Sequence, residues 1–338
     1  MIFFDTTSAS SWRHSSGLAR VSRRLKDELG GAASGAAWPQ IGAAASGADW
    51  FFTPELFSEA ERPGFTEFLA RRPCRLAALY HDAIPLKHPS ITWAKSVARH
   101  PSYMKLLARF DRVWAVSAAS REELLGFWRW QGICGPAVEV LPMGADGGGV
   151  ARAPGGAQKA MTPPRIVSVG ILEPRKNQGV ILDACEALRR EGLEMELHLV
   201  GRVNPQFGGP ISRRVGEAAR RWPGLRHHAR MGDAALAELL STARATAFAS
   251  IAEGCGLPLL ESLWVGVPCV CSGIAPLLEN AAGGGCLVVA GNDLAGWTEA
   301  LRRVLSDDAL HLRLAAEASR RPLARWADAA RVLREALA

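Results

Sequence analysis

Short apolar runs alternate with longer stretches of helical spacing along this chain, and they do so twice, on either side of a segment rich in glycine and proline. The runs before it are Ile2–Phe4, Trp50–Phe52, Leu76–Tyr80, Arg112–Val116 and Val138–Leu141. Those after it are Ile166–Val169, Glu196–Val200, Ala245–Ala249, Pro268–Cys271 and Cys286–Val289. A strand, a helix and a second strand in sequence bring the chain back parallel to its start, so the pattern predicts parallel βαβ units in two sets. Between Ala145 and Pro164 the composition packs poorly and reads as a linker. A length of 338 residues also exceeds what one ordinary core supports. The expectation is an α/β chain with one Rossmann-like domain over 1–150, a second over 165–320, and an amphipathic helix over 321–338.

The densest local signal runs from Ala249 to Glu261. Ala245–Ser250 reads as a short buried strand, Gly254 and Gly256 follow, and Pro258 suits the first turn of a helix that continues through Leu259, Leu260, Leu263 and Trp264. Strand, glycine loop and helix start is the order that presents backbone N–H groups to an anion. In an open α/β sheet, ligands lie beyond the carboxyl ends of the strands, where Glu253 falls. Glu261 comes eight positions later, one turn into the helix. Two carboxylates would repel a phosphate, so they are better matched to hydroxyls. Taken singly, each glutamate is more often a solvated loop residue or a dipole-complementing helix residue.

A second loop has the same order. Ile166–Val169 is strand-like, and Gly170-Ile171-Leu172-Glu173-Pro174-Arg175-Lys176-Asn177 leads into a helix containing Leu182 and Leu188. A lysine at a helix start opposes the macrodipole unless an anion neutralises it, and a diphosphate would do so; a solvated surface lysine is the plain alternative. In the first half, Gly17 precedes a helix with Leu25 and Leu29, which alone indicates a turn. His81 and Asp82 follow the Leu76–Tyr80 run, again at a carboxyl end, although a lone histidine there is usually structural. Ser117 reads as a helix cap.

These segments resemble the motifs of the retaining, nucleotide-sugar-dependent glycosyltransferases of family 4, which have the GT-B architecture. Ser250, Glu253, Gly254, Gly256, Leu257, Pro258, Glu261, Gly266 and Pro268 stand in register with that family's signature, with Cys255 where an aromatic is common. The Gly170–Asn177 run is similar to its diphosphate loop, although the arginine many members carry after the glycine is Ile171 here. Ser16-Gly17-Leu18-Ala19-Arg20 resembles a phosphate-facing loop, and His81-Asp82-Ala83-Ile84-Pro85 the element bordering the donor sugar. The resemblance covers residues 165–305 closely and 1–145 loosely. It implies two doubly wound Rossmann-like domains with a cleft between them and a terminal helix crossing back to the first. It assigns catalytic places to Glu253, Lys176 and His81, and donor-binding places to Arg175, Glu261, Gly254, Cys255, Gly256, Leu257, Gly17 and Gly170. Asp82 falls on the acceptor side. On this reading Lys176 and Arg175 take the diphosphate, Glu253 the sugar hydroxyls and Glu261 the ribose.

Composition excludes several other classes. Hydrophobic residues at 48% and charged residues at 22% are globular proportions. The net charge of +7 is spread over both halves, which argues against a nucleic-acid patch but suits anionic donors or peripheral contact with an anionic membrane. No run approaches the roughly 18 apolar residues of a membrane span, and Met1–Asp5 lacks the basic start of a signal peptide. A cytoplasmic protein, compatible with a place at the inner face of a membrane, is expected. The seven cysteines form no paired framework and read as reduced core or loop thiols. No Asp-x-Asp loop, P-loop or dinucleotide fingerprint is present.

The expectation is therefore a metal-independent retaining hexosyltransferase, with no cofactor, moving a sugar from a nucleoside diphosphate donor to a carbohydrate or lipid-linked acceptor in polysaccharide or glycoconjugate synthesis. The motifs resemble those of bacterial mannosyl- and rhamnosyl-type enzymes, which favours GDP-mannose. The alternatives are a sugar-nucleotide epimerase on the same fold and a non-catalytic subunit that partners another transferase.

Overall fold

The computed structural model describes residues 1–8, 17–147, 152, 162–291 and 293–338. Ser16 of the expected phosphate loop and most of the expected linker lie outside the described residues. The chain divides into two units, Met1–Gly144 with Ala324–Ala338, and Ala145–Leu323.

The first unit is built on six parallel strands, β1 (Ile2–Asp5), β2 (Ala33–Ala36), β3 (Trp50–Thr53), β4 (Arg75–Tyr80), β5 (Arg112–Ala115) and β6 (Val138–Val140). They lie in the order β2-β1-β3-β4-β5-β6. Its helices are α1 (Gly17–Leu29), α2 (Trp38–Ala44), α3 (Phe65–Arg71), the single turn α4 (Ile84–Lys87), α5 (Ala94–Leu107) and α6 (Ala118–Gln131). The second unit contains β7 (Arg165–Val169), α7 (Gln178–Arg190), β8 (Glu196–Val200), α8 (Gly209–Arg221), β9 (Leu225–His228), α9 (Asp233–Ser241) and β10 (Ala245–Phe248). It continues with α10 (Leu257–Trp264), β11 (Cys269–Ser272), α11 (Ala275–Ala281), β12 (Cys286–Val289), α12 (Leu294–Ser306) and α13 (Asp308–Arg320). Its strands are also all parallel, in the order β12-β11-β10-β7-β8-β9. The last helix, α14 (Trp326–Ala336), belongs to the first unit. There it packs on α1 and buries Trp326, Ala329, Ala330 and Leu333.

Two strands were not visible as apolar runs. β2 reads Ala-Ser-Gly-Ala and β9 reads Leu-Arg-His-His, and both lie at sheet edges, where one flank and part of the face remain wet. The central strands are buried on both faces and therefore read as continuous hydrophobic runs. In the first unit Phe51, Phe57, Phe65, Phe68 and Tyr103 pack edge to face or stacked around that core. Ser117 caps α6 by accepting the Ser120 N–H at 3.0 Å.

Each sheet reverses its winding once, between β1 and β3 in the first unit and between β7 and β10 in the second. Brought together at the first reversal are Asp5, at the end of β1, and Glu55, just past β3, both buried. Arg62 donates to the Asp5 carboxylate at 2.8 Å and also pairs with Glu55. Asp5 further accepts Thr53 Oγ1 at 2.6 Å, and Glu55 accepts the Ser8 N–H. Two carboxylates thus share one guanidinium. Burial, reinforced by the Asp5 charge, pushes the Glu55 carboxyl up to about 7.

Removing Arg62 strands two buried acids, so Arg62→Ala is expected to cost about 3–5 kcal/mol in urea denaturation. Because the folded Glu55 holds its proton more tightly than the unfolded chain does, its contribution is complete below about pH 4.5 and is lost as pH rises through about 7. Stability measured across that window should fall in the wild type and fall less in Glu55→Gln; identical slopes would remove Glu55 from the account.

Candidate functional site

The reversal in the second sheet gathers the chemistry the sequence pointed to. β7 ends at Val169, and Gly170 donates its N–H to the Val200 carbonyl at 2.8 Å, holding the outgoing chain against β8. Pro174–Lys176 then forms one 3-10 turn, and Asn177, in the left-handed region at φ 50°, starts α7. Arg175 and Lys176 therefore sit on a turn beyond the carboxyl end of β7. From the neighbouring β10 the chain runs through Glu253 to Gly256, which precedes α10 at φ 86°. A β-carbon at Gly256 would come 2.5 Å from Leu277 Cδ2, so glycine is required there by both conformation and space.

The two loops are tied to each other. Ile251 N–H donates to the Arg175 carbonyl at 2.9 Å, and the Arg175 guanidinium donates to the Ala252 carbonyl at 3.0 Å. Lys176 Nζ makes a direct ion pair with Glu253 Oε1, Arg175 reaches Oε2 at 3.2 Å, and Ser250 Oγ donates to Oε1 at 2.6 Å. Arg175 also pairs with Glu173 at 2.8 Å, whose other oxygen accepts Asn204 Nδ2 at 2.7 Å. Two acids and two bases alternate here, Glu173 buried and Arg175, Lys176 and Glu253 partly buried. Burial alone would raise the Glu253 carboxyl, but Lys176 and Arg175 outweigh it and hold it at about 2. Burial lowers Lys176 despite Glu253 beside it.

This arrangement corrects one inference from sequence. The anion that neutralises Lys176 is Glu253 of the same chain, so the lysine's position does not by itself require a bound diphosphate. Glu261 is buried on the second turn of α10 and lies against Gly147, where a β-carbon would stand 2.8 Å from Oε1. The Cys255 carbonyl accepts Asn280 Nδ2 at 2.6 Å, and Leu257 opens α10.

The remaining candidates belong to the first unit. His81, just past β4, is buried with Nε2 2.7 Å from the Pro54 carbonyl; burial lowers its pKa against the opposing pull of that carbonyl and Asp82, keeping the ring neutral. Asp82 accepts the Ile84 N–H at 2.9 Å, closing the α4 turn. Gly17 is the exposed first residue of α1. Sequence reasoning missed the roles of Glu173 and Asn204, which hold Arg175 in place. Glu173 stood inside the loop motif, while Asn204 carried no local signal.

Residues 163–307 match the family of glycosyl transferases group 1. The serotype-specific mannosyltransferase WbdA of Escherichia coli is 28% identical over 225 residues, which are 60% of this chain and 26% of that protein. The O-antigen chain mannosyltransferase B of E. coli is 31% identical over 140 residues, 41% of this chain and 36% of its own length. The chain thus spans well under half of these relatives. Among solved structures, α,α-trehalose 6-phosphate synthase from Burkholderia multivorans superposes with a TM-score of 0.65 at 16% identity, covering 96% of this chain and 79% of its own. Sucrose-phosphate synthase from Thermosynechococcus elongatus gives 0.63 at 20% identity, covering 85% and 72%. At such identities the likeness speaks for the fold, which is GT-B.

Substituting Glu253→Gln leaves two buried cations facing one acid and is expected to cost about 3–5 kcal/mol near neutral pH. Since the folded carboxyl is held low, the Glu253 contribution is complete above about pH 4.5 and disappears as pH falls towards 2, so wild type and variant should converge in acid. Inorganic diphosphate should raise the melting temperature of the variant more than that of the wild type, because it no longer competes with an internal anion. An equal or smaller rise would show that the cations are not the anion's docking point.

Proposed function

We propose, from the match of residues 163–307 to the family of glycosyl transferases group 1 and from the GT-B fold, that the protein is a retaining transferase of family 4 that moves mannose from GDP-mannose to a carbohydrate or lipid-linked acceptor. The observation that carries this reading is the partly buried alternation Glu173, Arg175, Glu253, Lys176 at the winding reversal of the second sheet, where α/β sheets bind nucleotides. The mannosyltransferase relatives support the choice of sugar.

In the resting arrangement Glu253 holds the two cations. An arriving diphosphate, with more charge and more acceptor oxygens than one carboxylate, draws Lys176 and Arg175 towards itself. Glu253 is then released to accept hydrogen bonds from the sugar hydroxyls. As the bond between the anomeric carbon and the diphosphate oxygen breaks, negative charge grows where the ammonium and guanidinium now stand, and they stabilise it most at that point. The acceptor oxygen bonds the anomeric carbon from the face the diphosphate leaves, and its proton passes to a diphosphate oxygen. No metal is needed in this scheme, because the two cations do the neutralising. Glu261 takes the ribose hydroxyls.

A melting-temperature panel of nucleotide sugars tests the donor. Ligand at about 100 times its dissociation constant adds roughly 2.7 kcal/mol, several degrees for a chain of this size. GDP-mannose is expected to give the largest rise, and NMR of the product made with chelator present should show the donor's anomeric configuration retained. An inverted product, or activity that chelator abolishes and a divalent ion restores, would overturn the mechanism. Lys176→Ala should lower kcat at least tenfold to a hundredfold, the worth of one charge-assisted hydrogen bond in the transition state.

A further inference from the structure

Three thiols converge behind the helix that carries Glu261. Cys269 and Cys271 are two residues apart on β11 and so share a face of the sheet, and Cys286 is the register partner of Cys269 on β12. Their three Sγ atoms all lie within 4.8 Å of one another. Cys269 and Cys271 are fully buried among Phe248, Leu259, Leu263 and Leu277, while Cys286 is half-buried. A single buried cysteine behaves as a small apolar side chain and needs no explanation. Three sulfurs within 4.8 Å of one another are another matter, and so is the charge placed beside them. Arg321, just beyond α13, donates to the carbonyl of Gly284, two residues before Cys286, at 3.3 Å. The Glu317 carboxylate, bonded to the N–H of Gly285 next to Cys286 at 2.8 Å, is also engaged by Arg313 at 2.6 Å.

We propose that Cys269, Cys271 and Cys286 form a trigonal thiolate site for a soft monovalent ion of the copper(I) class. Three sulfurs about 2.3 Å from a central ion stand about 4 Å apart, inside the 4.8 Å that bounds the observed separations. Sulfur donors reject hard cations, and a structural zinc site wants four ligands, whereas among the described residues this cluster has three. Binding releases the thiol protons to solvent, and the Arg321 guanidinium offsets part of the negative charge that three thiolates leave around a single positive ion. Cys286, at the half-buried edge, gives the ion its way in. Because Leu259 and Leu263 of α10 line the same pocket of side chains, an ion held there braces that helix without touching the transfer chemistry.

The test uses the full chain, reduced, in a Cys134→Ser background that removes the exposed surface thiol. Copper(I) is titrated against a coloured copper(I) chelator, with zinc(II) measured in parallel. One copper(I) per chain withheld from the chelator, with an ultraviolet thiolate-to-metal absorption, is expected, and zinc(II) should bind at least tenfold more weakly. Cys286→Ala, at the half-buried position least able to disturb folding, should lose at least a hundredfold in affinity while keeping the native far-ultraviolet circular dichroism. Failure of the folded chain to compete with the chelator, unchanged affinity in Cys286→Ala, or a preference for zinc(II) would overturn the proposal.

Discussion

The second unit is organised around the carboxylate of Glu253. Parallel strands place their carboxyl ends side by side, and at the one place where the winding reverses no crossover helix covers the gap. Side chains that reach into it are dry enough for charge to be expensive and close enough to compensate one another. Lys176, Arg175 and Ser250 all point at the same two oxygens, and Glu173 with Asn204 fixes the far side of Arg175. Glu253 is the shared partner of Lys176 and Arg175, and the Ile251 N–H and the Arg175 guanidinium add bonds between the same two loops, so the loops after β7 and β10 are tied together.

The first unit solves the same problem with the opposite balance. There two acids share one base at the reversal, and the surplus negative charge is carried as a carboxyl that keeps its proton until neutrality. A network short of one cation adjusts by proton uptake, whereas in the balanced network the two cations hold the Glu253 carboxyl ionised down to about pH 2. The two halves thus share topology and differ in how their switch points respond to pH.

Much of this was legible because it is local. Strand, loop and helix start occupy consecutive residues in both motif segments, so period, glycine and proline placed Lys176, Arg175, Glu253 and Glu261 near strand ends without any knowledge of the fold. What escaped is what depends on register between distant segments. Nothing near Arg62 announces Asp5, and nothing near Asn204 announces Glu173. The spacing of Cys269 and Cys271 was readable as one face of a strand, but their convergence with Cys286 required the pairing of β11 with β12. The edge strands β2 and β9 escaped for a different reason, having too little buried surface to impose an apolar pattern.

The place of α14 has a consequence for how the chain comes off the ribosome. This last helix packs on α1, so the first unit is assembled from two pieces of sequence with the whole of the second between them. At roughly 5–20 residues per second, the stretch 145–323 takes on the order of 10–35 s to synthesise. For that time α1 waits with its partner's seat empty, exposed to whatever else in the cell binds apolar grooves. The half made first is therefore the half finished last, and chaperones have a natural window in which to act on it.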